Sequence, residues 1–211
     1  MVRLLIGLTG GVGVGKSTAA RVLAELGAEV VSGDELGRRV LEGSPEMLAE
    51  VRARFGDDVF EPDGTLRRRA LGERVFAGRE HAHWLTERTF AGIHRLWREA
   101  VARSLREVVV FDAALIFEWR IEREFDLLLT VTALREHVRL RLSREGRLTL
   151  GEIESRLAAQ TSPSDKARQS HIQITNDGTI EELESAIRTV WHARVAPELQ
   201  KRRETGNDPL R

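Results

Sequence analysis

Eight residues constrain this chain more than any others. Gly10-Gly11-Val12-Gly13-Val14-Gly15-Lys16-Ser17 fits the spacing G-x-x-x-x-G-K-[ST] of a phosphate loop. Glycines at that spacing let main-chain N–H groups turn inward and approach phosphate oxygens with no Cβ in the way. The flanks have the form the motif needs. Residues 4–8 are an apolar strand, and residues 16–26 carry Ala19, Ala20, Leu23 and Leu26 on one helical face, with Gly27 as a stop. Residues 29–31 read as a second short strand, so the first 34 residues form a βαβ unit with parallel strands.

Composition narrows the class. The chain has 211 residues, with 33 basic and 33 acidic side chains and no cysteine. That excludes a disulfide framework, a thiolate metal site and a thiol nucleophile. Zero net charge speaks against broad nucleic-acid binding, which needs a basic face. The longest apolar runs, residues 108–111 and 113–117, are far shorter than the roughly 20 residues of a membrane span. The apolar start runs straight into the glycine loop with no cleavage site, so a cytoplasmic location is expected. Only Lys16, Lys166 and Lys201 are lysines; all other basic residues are arginine, the side chain that grips phosphate in a fork.

The rest of the chain alternates helix and strand. Helices are expected at Pro45–Phe55, 69–76 and 80–105, strands at 108–111 and 127–131. A helix then runs through Arg144, Gly146 breaks it, and 149–160 resume it. Residues 172–174 are the last strand, 180–192 the last helix, and the polar tail from Pro197 is expected to fray. The fold class that follows is α/β: a P-loop kinase core with a parallel five-stranded sheet flanked by helices. The core takes residues 1–38, 105–134 and 163–195; a helical acceptor-binding insertion takes 39–104, a helical lid 135–162 and a tail 196–211.

Several side chains carry candidate chemistry. Lys16 is placed to reach the β- and γ-phosphates and Ser17 to hold Mg²⁺. Asp34 lies just past the second strand, at the carboxyl end of a parallel sheet, where a carboxylate can orient or deprotonate an attacking hydroxyl. Its plain alternative is a helix N-cap. Asp112 follows four apolar strand residues, the pattern of a carboxylate that supports Mg²⁺ directly or through water. Glu118 is a further carboxylate on the substrate side. Arg135, Arg139, Arg141, Arg144 and Arg147 crowd around Gly146, as in a lid that closes over a transferring phosphoryl group, with Arg144 the first candidate. The plain alternative is a solvated face with pairs such as Arg141–Glu145. A GTPase is excluded, because Thr175-Asn176-Asp177-Gly178 does not fit N-K-x-D and no D-x-x-G follows the third strand.

The run from Ile6 to Thr18 resembles the opening of dephospho-CoA kinases. The resemblance continues through Val30-Val31-Ser32-Gly33-Asp34, Phe55-Gly56, Asp63-Gly64-Thr65-Leu66 with Arg68 and Leu71, and Val75-Phe76. Asp112 to Glu118, Arg144-Glu145-Gly146, Arg156-Leu157-Ala158-Ala159-Gln160 and Ile174 to Gly178 complete it. The chain differs from that family's pattern at Arg67, Phe90-Ala91, Ala114, Leu140 and His171.

The resemblance implies that ATP phosphorylates the 3′-hydroxyl of dephospho-CoA, giving ADP and CoA, with Asp34, Lys16 and Arg144 catalytic. It implies nucleotide binding by Gly11, Val12, Gly13, Val14, Gly15, Lys16, Ser17, Thr18 and Asn176, the last in a loop near the adenine. It places Arg68, Asp112 and Glu118 on the acceptor side and Mg²⁺ on Ser17 and Asp112. The expected partners are ATP and dephospho-CoA, with no nucleic acid or membrane, in a monomer or small homo-oligomer. Two alternatives stay open: a small-molecule kinase with another acceptor, such as a nucleoside monophosphate or a hydroxyl metabolite, and a non-catalytic sensor of ATP and a CoA-like ligand.

Overall fold

Solvophobic strands bracketed by amphipathic helices leave the chain one economical arrangement, a buried sheet with helices on both faces. A computed structural model shows it, and describes residues 3–146, 148–159 and 169–205. The five strands are β1 (Leu4–Gly10), β2 (Glu29–Ser32), β3 (Val108–Asp112), β4 (Leu127–Thr132) and β5 (Ile172–Thr175). All pairings are parallel, in the order β2-β3-β1-β4-β5. The helices are α1 (Lys16–Glu25), α2 (Gly33–Glu42), α3 (Pro45–Phe55), α4 (Arg68–Phe76), α5 (Arg79–Arg103), α6 (Arg135–Glu145), α7 (Leu150–Ala159), α8 (Ile180–Val190) and α9 (Ala196–Thr205).

Alternation along β1 divides the core. Leu4, Ile6 and Leu8 join Ala19 and Leu23 of α1, Ile187 of α8 and Leu199 of α9 on one face. Leu5 points to the other, with Val109, Phe111, Leu36 of α2 and Trp97 of α5. Trp97 is fully buried and stacks on Phe111 at 4.6 Å between centroids. A third cluster, Val51, Phe55, Val59, Phe60, Leu71 and Val75, lies wholly within the helical stretch between β2 and β3. That stretch therefore has a small core of its own. No described helix is long and apolar enough to cross a membrane.

The strands exceed the expected limits because their partners carry them. Thr9 and Gly10, expected in the loop, extend β1 and pair with Thr130 and Val131 of β4. The larger correction is at the C-terminal end. Residues 196–205 do not fray: α8 passes through a widened turn, Trp191–Val195, into α9. Arg202 of α9 forms an ion pair with Asp126 at 2.6 Å and donates to the Arg3 carbonyl at 2.8 Å, while Leu199 is buried. A mostly polar helix with one buried apolar side chain docks here because a half-buried carboxylate receives its arginine. Arg147, Gln160, the expected junction of lid and core at 160–168, and residues 206–211 lie outside the described residues.

Candidate active site

The phosphate loop connects the carboxyl end of β1 to the first turn of α1. Gly13 (φ 71°) and Gly15 (φ 98°) adopt left-handed backbone that other residues resist. Space also forbids a side chain at Gly15, where a Cβ would fall 2.5 Å from Asn176 Nδ2. α1 starts at Gly15 with no side-chain cap and no acidic residue in its first turn. Its N-terminal amides are thus left for an anion, at the positive end of the helix dipole.

Asn176 is buried, and its Nδ2 donates to the Val14 carbonyl at 2.8 Å. Arg141 of α6 in turn donates to the Asn176 main-chain carbonyl at 2.8 Å. This replaces the helical pair with Glu145 that sequence spacing suggested. The loop after β5 therefore braces the phosphate loop directly. Asn176→Ala strands a buried carbonyl, so we expect about 1–3 kcal/mol of lost stability and weaker nucleotide binding. Chemical denaturation and calorimetric titration check this, and wild-type values in both would contradict it.

Parallel register brings the carboxylates together. Ser32 of β2 lies opposite Asp112 of β3, and Leu8 of β1 opposite Asp112 on its other side. Lys16 Nζ donates to Asp112 Oδ1, and both side chains are largely buried. Ser32, not Asp34, caps α2: its Oγ accepts from the Glu35 N–H at 3.2 Å. Ser32 with Glu35 three residues on was the available sequence signal for this cap. Gly33 presses on Asp112, since a Cβ there would meet the Asp112 carbonyl at 3.2 Å and Ala113 Cβ at 2.8 Å. Asp34 then stands in the first turn of α2, exposed, with no hydrogen bond or ion pair among the described residues.

Burial pushes the Asp112 carboxyl above the usual aspartate range. Lys16 opposes that shift by attraction and hydrogen bonding, while the negative charge of Asp34 adds to it. An acid raised in the folded state contributes stability below its unfolded pKa, and that contribution is lost as pH rises through the folded pKa. Carboxyl NMR of the protein is expected to show Asp112 titrating above an ordinary aspartate, and at lower pH in Asp34→Asn. An ordinary midpoint, or one insensitive to Asp34, would contradict the proximity of the two groups.

Asp34 opens onto a cleft of about 470 Å³ between α2 and the helices that follow. Leu41, Leu66, Leu71, Val75 and Leu85 make its apolar wall, and Arg38, Glu42 and Arg68 its polar rim. Glu118 is exposed and does not line this cleft. α6 and α7 form the helical pair expected of a lid, tied by an ion pair of Arg135 with Glu154. Val138 and Leu142 of α6 lie against Gly13 of the phosphate loop. Arg156 of α7 lies 4.8 Å over the ring of Phe76 at the edge of the cleft. Arg144 is exposed near the end of α6, just before Gly146. The arrangement offers a phosphate cradle with a buried cation, an exposed carboxylate beside it and a roomy second cleft.

The family model described as dephospho-CoA kinase matches residues 4–182. A dephospho-CoA kinase of Geobacter metallireducens is 39% identical over 196 residues, covering 91% of this chain and 97% of that protein. A crystal structure of TT1252 from Thermus thermophilus superposes with a TM-score of 0.76 at 29% identity, covering 92% of this chain and 99% of that one. A dephospho-CoA kinase from Campylobacter jejuni shares the fold, with a TM-score of 0.62 at 20% identity over 89% of this chain and 95% of that one.

Proposed function

The chain belongs to the dephospho-CoA kinase family, and on that premise we propose how its residues carry out ATP-dependent phosphorylation of dephospho-CoA in CoA biosynthesis. The phosphate loop from Gly11 to Thr18 holds the triphosphate by its main-chain amides. Lys16 leaves Asp112 for the β- and γ-phosphates and neutralises charge that develops between them. Asp34 accepts a hydrogen bond from the 3′-hydroxyl of the acceptor ribose, aims its oxygen at the γ-phosphorus and takes the proton as transfer proceeds. Arg144 closes over the γ-phosphoryl from the lid and excludes water. Asn176 acts on the nucleotide side by holding the loop in shape.

The residues present fit Mg²⁺. Ser17 offers an exposed hydroxyl in the first turn of α1 and Asp112 a carboxylate beside Lys16. No group of three or more carboxylates and imidazoles occurs among the described residues. That suits an ion which takes one or two protein ligands and completes its shell with phosphates and water. Bound there, it would supply charge neutralisation to the transferring phosphates. The reading needs only small-molecule partners, ATP and dephospho-CoA, and a cytoplasmic location, with no nucleic acid or membrane.

The exposed carboxylate of Asp34, with no hydrogen bond or ion pair among the described residues and set between the Lys16–Asp112 pair and the cleft, supports this reading most directly. Release of ADP is the test, with dephospho-CoA, pantetheine, CMP, AMP and gluconate offered separately. Turnover with dephospho-CoA and none of the others is the expected result. Faster turnover on another alcohol would transfer the assignment to that acceptor. ATP binding without turnover on any would make the protein a sensor.

A further inference from the structure

We infer that Glu42 sets the affinity for the acceptor: its carboxylate occupies the guanidinium of Arg68, and the diphosphate of the acceptor takes that place on binding. The inference rests on the dephospho-CoA kinase reading and deepens it.

Three arginines meet at the start of α4, and the structure separates their roles. Arg67 pairs with Glu61 at 3.3 Å. Arg69 pairs with Glu73, one turn along its own helix, at 3.0 Å. Only Arg68 of the three lines the cleft that Asp34 opens. Its Nε donates to Glu42 Oε1 at 2.7 Å and its Nη2 to Glu42 Oε2 at 2.8 Å. Glu42 ends α2 and Arg68 begins α4, so the pair spans the cleft from wall to wall.

Two parallel N–H groups are what a guanidinium presents to a carboxylate or to a phosphate, and the dianionic group of a diphosphate is the stronger partner. The pair is easily given up. Both side chains are more than a third exposed, and exposed ion pairs hold weakly. Glu42 is also the last residue of α2, where the helix dipole disfavours a negative charge. The apolar wall of Leu41, Leu71 and Val75 beside the pair suits the uncharged arm that follows a diphosphate in the acceptor. Glu42 thus acts as an internal competitor: an anion that the correct ligand must displace, and that a ligand without a diphosphate leaves in place.

Calorimetric titration of the full chain with dephospho-CoA tests this in wild type, E42Q, R68A and the double variant. E42Q is expected to tighten dephospho-CoA binding by about three- to ten-fold with ATP affinity unchanged. R68A is expected to weaken dephospho-CoA binding by about ten-fold or more. The gain from E42Q should vanish in the R68A background. Melting temperatures within a few degrees of wild type would show all four proteins folded. Unchanged or weaker binding in E42Q overturns the inference, and so does an equal gain with and without Arg68, which would mark a general charge effect. If wild type makes CoA while E42Q binds like wild type, this inference alone falls. If wild type makes no CoA from ATP and dephospho-CoA, the parent reading falls and takes this one with it.

Discussion

Lys16→Ala is expected to reduce kcat by about a thousand-fold or more. Lys16 is the cation inside the phosphate loop, and its amine is largely buried against Asp112. Without it the β- and γ-phosphates lose the lysine of the phosphate loop. Asp112 loses both of the effects that hold its acidity down, the attraction and the hydrogen bond from Lys16. It then takes a proton more readily and becomes a poorer support for a divalent cation. Truncation to alanine removes no core side chain, so the protein should remain folded. Lys16→Arg serves as a companion, because it keeps the charge and loses the compact shape. It should also lose most activity. A Lys16→Ala protein with a tenth or more of wild-type kcat would mean that the loop does not hold the transferring phosphates.

Asp34→Asn should separate binding from chemistry. Asparagine has the same size, and the cap of α2 belongs to Ser32, so the helix keeps its start. Asp34 makes no ion pair among the described residues, so neutralising it strands no partner. ATP affinity is therefore expected to stay within about three-fold, because the phosphates are held elsewhere. The rate of transfer should fall by about two to four orders of magnitude, the usual range for a positioned general base. A rise in the acceptor KM with kcat intact would reassign Asp34 to binding only.

The legible part of this fold was the part encoded locally. A glycine loop between an apolar strand and an amphipathic helix is a short-range pattern, and the structure keeps it almost residue for residue. α3 runs over its expected residues because Ser44 caps it and Pro45 opens it. What escaped was held by distant partners. The last residues of β1 are strand because β4 pairs with them across more than a hundred residues. The polar α9 is helical and docked because Asp126 and the Arg3 carbonyl receive Arg202. Hydropathy carries no trace of such a tether.

The candidate site divides along the same line. Asp112 ends β3, and Lys16 and Asp34 lie in the first turns of the helices that follow β1 and β2, strands whose parallel register follows from the βαβ pattern; the structure brings the three together. The contact of Asn176 with Val14 and the pairing of Glu42 with Arg68 join separate elements, so spacing did not reveal them. Departures from the family pattern also become readable in three dimensions. His171 uses Nδ1 to accept the Leu128 N–H at 2.9 Å, which ties the start of β5 to β4. Phe90 packs beside His94 and Trp119, with ring centroids at 5.5 and 5.7 Å.

We propose that Asp34 holds the acceptor alcohol against the end of a triphosphate cupped by the loop at Gly15. A crystal structure of the protein with dephospho-CoA and a non-hydrolysable ATP analogue tests it most directly. The ribose 3′-oxygen is expected about 3 Å from the Asp34 carboxylate, within about 3.5 Å of the γ-phosphorus and in line with its bridging oxygen. A γ-phosphate bound away from Lys16, or a ribose hydroxyl beyond reach of Asp34 with both ligands in place, would contradict it.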